Sequence, residues 1–208
     1  MSALVLVRHA QATPFEKDSD RLSAAGEQQA IALGKFWRER NIRFDEVYSG
    51  TMRRHTRTAE VAGFGEVELR SEFNEYDATG ILSAGQPDAR AKDNRELQKL
   101  FDTMMPQWIA GTLGAPGLET WPAFRERVQR GLRSIFEADR PSRRVVVFTS
   151  GGPIGVAVQT VVGAKEPMAV ELNWRIRNCS LTEFIFTRDR VSLDSFNATP
   201  HLAEVTFR

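Results

Sequence analysis

The chain opens with the apolar run Ala3-Leu4-Val5-Leu6-Val7, which ends at Arg8-His9-Ala10. A continuous apolar run of this length is typical of a strand that is buried on both faces of a sheet. In open α/β sheets, ligands bind in the crevice beyond the carboxyl ends of such strands. Arg8 and His9 supply the first side chains there: a guanidinium that grips oxyanions in a fork, and an imidazole that attacks or transfers protons near neutral pH. The run therefore indicates phosphate chemistry.

Composition limits the class of protein. A length of 208 residues suits one substantial core. The balance of 28 Lys and Arg against 27 Asp and Glu argues against a dedicated nucleic-acid binder. The sequence contains neither a stretch long enough to span a membrane nor a typical signal peptide. The single cysteine, Cys179, excludes a disulfide framework and fits a reducing compartment. We expect a cytoplasmic protein with no nucleic-acid or membrane partner.

Strand and helix patterns alternate along the chain. Strands are predicted at 44–48, near 67–69, and at 144–149, 181–186 and 190–196, in addition to the opening run. Helices are predicted from an N-cap at Ser23, at 52–62, 95–109 and 124–135, and from Ser150 to about 162. This alternation predicts an α/β fold, a three-layer α/β/α sandwich with a mostly parallel central sheet, as a single domain over residues 1–208.

The middle of the chain, about 77–117, is rich in Gly and Pro and is predicted to be a lid-like insertion over one end of the sheet. Three basic residues of this segment are candidates for binding a second anionic group: Arg90, Lys92 and Arg95. Exposure of all three to solvent is the favoured alternative. Three arginines on the following helix are predicted to face solvent: Arg127, Arg130 and Arg133.

Four segments, taken in order, resemble the histidine phosphatase superfamily, also called the phosphoglycerate mutase-like family. The family's Leu-Val-Arg-His-Gly, Leu-Ser/Thr-x-x-Gly-x-x-Gln-Ala, Tyr-Ser-Ser-x-x-x-Arg-x-x-x-Thr-Ala-Glu and Ser-His-Gly-Gly patterns correspond here to Leu6–Ala10, Leu22–Ala30, Tyr48–Glu60 and Val145–Ile154. The resemblance covers nearly the whole chain and is weakest in the insertion. It implies a phosphoglycerate mutase-like fold, no metal or organic cofactor, and a small phosphomonoester or inorganic phosphate as the partner.

The resemblance also implies roles for individual residues. His9 stands where the family has its nucleophile, which attacks phosphorus and carries a phosphohistidine. Arg8 matches the first arginine that holds the transferring phosphoryl group. A forked donor suits this task, because phosphoryl transfer depends chiefly on positioning and on neutralising the equatorial oxygens.

The second arginine of the resemblance is Arg54 rather than its neighbour Arg53. Arg54 precedes Thr58 by four residues, which places both on one helical face. The remaining polar residues of this segment are then predicted to lie on other faces and to be exposed: Arg53, His55 and Arg57. By the same register, His55 points away from Arg54, and His201 lies in a tail that the sequence does not define.

The resemblance implies that Glu75 protonates the leaving alcohol and later deprotonates water. Such a carboxyl works best when burial or a nearby anion weakens its acidity. Asp77 remains a competing candidate, since both carboxylates follow the same strand-like segment. A solvated loop acid is the alternative for either residue.

At position 150 the chain departs from the pattern, with Ser150 where the family has its second histidine. That histidine donates a hydrogen bond and positive charge to the phosphoryl group, whereas a serine donates one neutral hydrogen bond. Removing one such donor typically costs on the order of 10²–10³ in rate. Gly151, at the start of a helix, is expected to attract phosphate through its amide. An equally favoured alternative makes Ser150 only the N-cap of that helix.

Other enzyme classes fit poorly. A cysteine phosphatase needs an arginine where Ile185 follows Cys179, and a serine hydrolase needs a glycine where Phe148 stands. The three histidines show no metal-ligand spacing.

The favoured function is hydrolysis of a phosphomonoester through a phosphohistidine on His9. The alternative is a catalytically weak or inactive phosphate- or phosphoprotein-binding module on the same fold. A phosphoglycerate mutase-type phosphotransferase is less favoured, because no water-excluding, substrate-specific lid is evident. Neither the substrate nor the oligomeric state can be read from the sequence.

Overall fold

The computed structural model describes residues 1–13, 18–87, 93–140 and 142–207. Within these ranges the strands form one six-stranded sheet in the order β3-β2-β4-β1-β5-β6. Strands β1 to β4 are parallel, and β5 runs antiparallel to both β1 and β6. The strands are β1 Ser2–Arg8, β2 Glu46–Ser49, β3 Glu68–Leu69, β4 Arg144–Thr149, β5 Leu181–Phe186 and β6 Val191–Ala198.

Helices cover both faces of this sheet. They are α1 Ala24–Glu39, α2 Arg53–Val61, α3 Ala78–Gly85, α4 Asn94–Ile109, α5 Trp121–Phe136, α6 Gly151–Val162 and α7 Pro167–Asn173, with a short 3₁₀ helix at Ser71–Phe73. None of the helices in the described ranges has the length and apolar character needed to cross a bilayer.

The apolar run of β1 separates two hydrophobic cores. Leu4 and Leu6 belong to the core that β1 shares with α4, α5, α6 and α7. Val5 and Val7 belong to the core formed with α1 and α2. A strand sandwiched between two helical layers needs apolar side chains at successive positions, which explains the uninterrupted run. The predicted three-layer α/β/α sandwich is thereby confirmed.

The register of the three central strands brings their carboxyl ends to one edge of the sheet. Arg8 of β1 pairs with Thr149 of β4, and Ser49 of β2 pairs with Phe148 of the same strand. The backbone pairing continues one residue further, since the His9 amide donates to the Thr149 carbonyl at 2.8 Å. The residues that leave β1, β2 and β4 therefore face a common crevice.

The secondary structure differs from the prediction at two short helices, one at the start of the predicted insertion and one after α6. Helices α3 and α7 were not predicted, because α3 lies in a stretch punctuated by Gly and α7 has only seven residues. The predicted helix at 95–109 is confirmed as α4, and its Phe101 and Trp108 are buried in the core. Arg95 is exposed on that helix. The other two basic candidates, Arg90 and Lys92, lie outside the described residues.

The start of α1 packs directly against the segment that follows β1. Ser23 caps α1 by accepting from the Gly26 amide at 3.0 Å, and its own amide donates to the Gln11 carbonyl at 2.9 Å. A Cβ on Gly26 would lie 2.1 Å from that carbonyl oxygen. Because the obstructing atom is a backbone oxygen that no side-chain rotation can move, only glycine fits here.

We predict that Gly26→Ala lowers the free energy of unfolding by about 1–3 kcal/mol, because backbone must shift to admit the methyl group. The loss should outweigh the better helix propensity of alanine. Urea denaturation measures the difference. Gly65→Ala is the matched control, since a Cβ there meets no atom within 4 Å. Equal stability of Gly26→Ala and the wild type would contradict this packing.

Candidate active site

His9 leaves β1 as a nearly buried imidazole with a defined hydrogen bond. Its Nδ1 lies 2.8 Å from the Ala10 carbonyl oxygen, and only a protonated nitrogen can donate to that acceptor. Burial, followed by the charges of Arg54 and Arg8, holds the pKa of His9 well below its usual range. The ring is therefore neutral at physiological pH, with its lone pair on Nε2. This is the form in which a histidine acts as a nucleophile.

The backbone after His9 is held by two of the motif segments. The Ala10 amide donates to Thr58 Oγ1 at 3.1 Å, and this hydroxyl donates in turn to the Arg54 carbonyl at 2.6 Å. The Gln11 amide donates to Gln29 Oε1 at 2.9 Å. Side chains from α1 and α2 thus accept hydrogen bonds from two backbone amides that have no partner in a neighbouring strand within the described ranges.

Two arginines approach His9 from different elements. The Arg8 guanidinium is buried and donates to the Ile176 carbonyl. The Arg54 side chain is 16% exposed, and its Nη1 donates to Asp20 at 2.7 Å. Both charges act on the His9 imidazole. The site therefore offers two guanidinium groups, and that of Arg54 is paired with a carboxylate.

The neighbouring arginines lie outside the site, as the helical register predicts. The Arg53 side chain is 63% exposed and pairs with Asp18 at 2.6 Å. Arg57 pairs with Glu27 on the surface between α1 and α2. Arg53 is thus paired at the surface, whereas the charge of Arg54 acts on His9.

The prediction that His55 is exposed and points away is wrong. His55 is 0% exposed, and its ring centroid lies 5.7 Å from that of His9. Its Nε2 lies 2.6 Å from Ser150 Oγ. Burial, followed by the charge of Arg54, holds the pKa of His55 well below its usual range. A second neutral imidazole therefore stands beside the first.

The error has a physical cause in the orientation of α2. The face of this helix that packs on the sheet consists of His55, Thr58 and Ala59, at i, i+3 and i+4. Arg54 lies at the margin of that face. Two consecutive residues of the first turn can therefore both reach the edge of the sheet, which the spacing between Arg54 and Thr58 alone does not reveal.

Ser150 occupies the N-cap position of α6, but its side chain does not act as a cap. Its backbone is extended, and its hydroxyl makes no capping hydrogen bond. The hydroxyl is instead paired with His55, and the residue is fully buried. The N-cap alternative for this hydroxyl is therefore wrong.

The two candidate acids have different surroundings. One Glu75 carboxylate oxygen accepts from the Gly152 amide at 3.1 Å, at the start of α6. Asp77 is exposed and accepts from the Gly80 amide at 2.8 Å, as the N-cap of α3. Glu75 thus lies against the turn that holds Ser150, whereas Asp77 serves a helix end.

The two glycines after Ser150 leave room for polar neighbours. A Cβ on Gly152 would lie 2.0 Å from Glu75 Oε1, and a Cβ on Gly151 would lie 2.0 Å from Asn173 Oδ1. The pair therefore allows a carboxylate and an amide to approach the first turn of α6 closely.

Arg127 does not face solvent as predicted. It forms a two-pronged ion pair with Glu119 and donates to the backbone carbonyls of Glu72, Asn74 and Glu75 at 3.0, 2.8 and 3.3 Å. One guanidinium therefore holds the loop that presents Glu75. The prediction of solvent exposure is correct for Arg130 and Arg133.

Comparison with known families gives the identity of this fold. The model of the histidine phosphatase superfamily (branch 1) matches residues 4–199. The chain belongs to this superfamily. No curated protein sequence matches it significantly.

Several solved structures share this fold. Similar folds include a phosphoserine phosphatase variant from Entamoeba histolytica in complex with phosphoserine (20% identity, 97% of this chain and 100% of that chain, TM-score 0.71). They also include a mycobacterial glucosyl-3-phosphoglycerate phosphatase with inorganic phosphate (21%, 97% and 99%, TM-score 0.69). A third is a phosphoglycerate mutase from Bacillus anthracis (18%, 96% and 94%, TM-score 0.68). These likenesses establish the phosphoglycerate mutase-like fold.

The third histidine of this superfamily member, His201, contacts α1. The His201 ring packs against Phe36 of α1, with the centroids 5.8 Å apart, and burial lowers its pKa to about 4. Across the described ranges, no group of three or more His, Cys, Asp or Glu side chains is arranged to hold a metal ion.

We predict that the protein loses stability as the pH falls through about 6.5, the usual histidine pKa. The unfolded chain then binds protons at His9, His55 and His201, whereas all three histidines stay neutral in the folded protein. Each therefore contributes a slope of up to about 1.4 kcal/mol per pH unit. Urea denaturation at about pH 7.5 and about pH 5.5 measures the loss.

His55→Leu should reduce this pH dependence, because it removes one of the three histidines whose pKa is lowered in the folded protein. Thr56→Leu is the control, since it alters the same helix without changing a titratable group. If His55→Leu and the wild type lose stability in parallel between the two pH values, the folded-state pKa of His55 is not depressed.

Proposed function

We propose that this chain hydrolyses small phosphomonoesters through a phosphohistidine on His9. One observation carries the proposal: the Ala10 carbonyl fixes the proton on Nδ1, which leaves the Nε2 lone pair for attack beside two guanidinium groups. A neutral imidazole next to cations suits attack on an anionic ester, because the cations neutralise the charge that otherwise repels a nucleophile.

In the first step, the Nε2 lone pair of His9 forms a bond to phosphorus, and the bond from phosphorus to the ester oxygen breaks. Glu75 donates its proton to that oxygen, so the product leaves as a neutral alcohol. Arg8 and Arg54 offset the negative charge on the remaining phosphoryl oxygens.

In the second step, water attacks phosphorus and the bond from phosphorus to Nε2 breaks. Glu75, now ionised, takes the proton of the water, so that inorganic phosphate leaves and both side chains return to their starting states. The Gly151 amide and the Ser150 hydroxyl, at the start of α6, are proposed to bind the phosphoryl oxygens.

The relatives support the substrate class. The names of two similar structures describe phosphatases, one in complex with phosphoserine and one with inorganic phosphate. We propose that residues 77–117 form a lid-like insertion in a single domain of residues 1–208, and that they select the alcohol part of the ester. The proposed reaction needs neither a metal nor an organic cofactor, and we place the protein in the cytoplasm.

A binding module for phosphate or phosphoproteins is the second candidate. The ion pair between Arg54 and Asp20 favours it, because a guanidinium with a carboxylate partner offers less net charge to a phosphoryl group. The neutral hydroxyl of Ser150 acts in the same direction.

Steady-state hydrolysis of an aryl phosphate tests the proposed function. We expect His9→Ala to lower kcat/KM by at least about 10³-fold, because the nucleophile is lost. Arg54→Ala should lower it by about 10²–10³-fold. Arg53→Ala, which removes an exposed arginine one residue away, is the control and should stay within about threefold of the wild type.

The intermediate provides a second readout. The wild type, stopped during turnover with a radiolabelled ester, should carry a label that is labile in acid, as phosphohistidine is, and His9→Ala should carry none. Activity that survives in His9→Ala would contradict the proposal. A wild type that binds phosphate without turnover would favour the binding module.

A further inference from the structure

His55 and Ser150 form a buried pair that the motifs of the chain did not indicate. The two residues lie 95 positions apart, on α2 and at the start of α6, and His55 Nε2 lies 2.6 Å from Ser150 Oγ. Both residues are 0% exposed. A short contact between two fully buried polar groups is a fixed element of the structure, because separating them leaves both without a partner.

The pair lies within the proposed phosphate site. Ser150 follows β4, the strand between β1 and β2, and the Thr149 carbonyl next to it accepts from the His9 amide. The His55 ring stands 5.7 Å from the His9 ring. Glu75 binds the Gly152 amide two residues further on. Ser150 therefore lies between a backbone carbonyl that contacts His9 and a backbone amide that contacts Glu75, the proposed nucleophile and the proposed acid.

The environment of His55 favours one arrangement of protons. Its Nδ1 has no hydrogen-bond partner in the described part of the chain and lies close to Gly50, where a Cβ would be 2.3 Å away. Buried N–H groups without an acceptor are rarer than buried acceptors without a donor. The neutral ring therefore carries its proton on Nε2 and donates it to Ser150 Oγ, which leaves the serine O–H to donate elsewhere.

We propose that His55 and Ser150 work as one donor unit, in which His55 Nε2–H donates to Ser150 Oγ and the Ser150 O–H donates to an oxygen of the transferring phosphoryl group. This inference rests on the proposed function. Ser150 is then a catalytic residue, and His55 is a positioning residue that orients and polarises the hydroxyl. No proton is transferred within the unit. The unit supplies the hydrogen bond that, by the family resemblance, a histidine at position 150 donates to the phosphoryl group.

A serine next to an imidazole at a strand-to-helix turn also suggests a nucleophile with its base. The surroundings of the two imidazoles argue against that arrangement. A catalytic base is normally oriented by a third group on its other nitrogen. His9 has such a group in the Ala10 carbonyl, whereas the Nδ1 of His55 has none among the described residues.

Aryl phosphate kinetics of four variants test the donor unit: His55→Leu, Ser150→Ala, the double variant of these two, and His55→Gln. We expect each single loss to lower kcat by about 10²-fold with little change in KM, because the bond strengthens in the transition state. The double variant should be no worse than either single one, since both remove the same donor. His55→Gln should recover at least about tenfold over His55→Leu, because its amide can donate to Oγ.

Two further variants distinguish loss of the donor unit from loss of folding as the cause of a lower kcat. His201→Leu, which removes a partly buried imidazole that packs against Phe36, should keep the wild-type kcat. The double variant His55→Ala with Ser150→His, which moves the imidazole to position 150, should exceed His55→Leu in kcat. Circular dichroism and thermal melts identify any variant that does not fold.

Additive losses in the double variant, or equal activities of His55→Gln and His55→Leu, would overturn the donor unit while leaving His9 as the nucleophile. An acid-stable phosphoenzyme that Ser150→Ala abolishes would overturn both proposals and make the serine the nucleophile. If the wild type does not turn over, calorimetry with inorganic phosphate replaces the kinetics. The donor unit then requires His55→Leu and Ser150→Ala to weaken binding equally, and unequal losses or none would overturn it.

Discussion

The parallel, in-register pairing of β1, β4 and β2 is the constraint on which the rest of the structure depends. It fixes three strand ends side by side, so that residues from the beginning, the first quarter and the last third of the chain meet at one edge. The apolar side chains of β1 secure this arrangement from both faces of the sheet. A slip of one residue in this register would exchange the buried faces of the strand and move His9 away from Ser150.

The site combines burial with positive charge, and the two act on imidazole in the same direction. Desolvation and the guanidinium groups of Arg54 and Arg8 all favour the neutral ring of His9. Desolvation and Arg54 do the same for His55. The proposed nucleophile and the proposed positioning residue therefore remain neutral without a neighbouring base. The carboxylates of Asp20 and Glu75 lie at the margin of this region, on Arg54 and on the first turn of α6.

The sequence predicted correctly those features that depend on residues close to one another in the chain. The apolar run of β1 and the spacing between Arg54 and Thr58 each depend on neighbours a few residues away. His55 and Arg127 were misjudged because their partners are distant in the chain: a hydroxyl 95 residues away, and backbone carbonyls 52 to 55 residues away. Sequence alone gives no signal for a side chain that binds backbone carbonyls across the fold. The available clue for His55 was its place next to Arg54, a predicted phosphate-binding arginine, in a chain that has no histidine at position 150.

A crystal structure of the protein soaked with vanadate tests the central claim most directly, since vanadate adopts the geometry of a phosphoryl group in transfer. The account predicts vanadium bonded to His9 Nε2, with its oxygens within hydrogen-bond distance of Arg8, Arg54, the Gly151 amide and the Ser150 hydroxyl. It also predicts that His55 stays on the serine oxygen. Vanadate bound elsewhere, or bound with the His9 ring turned away from it, would contradict the account.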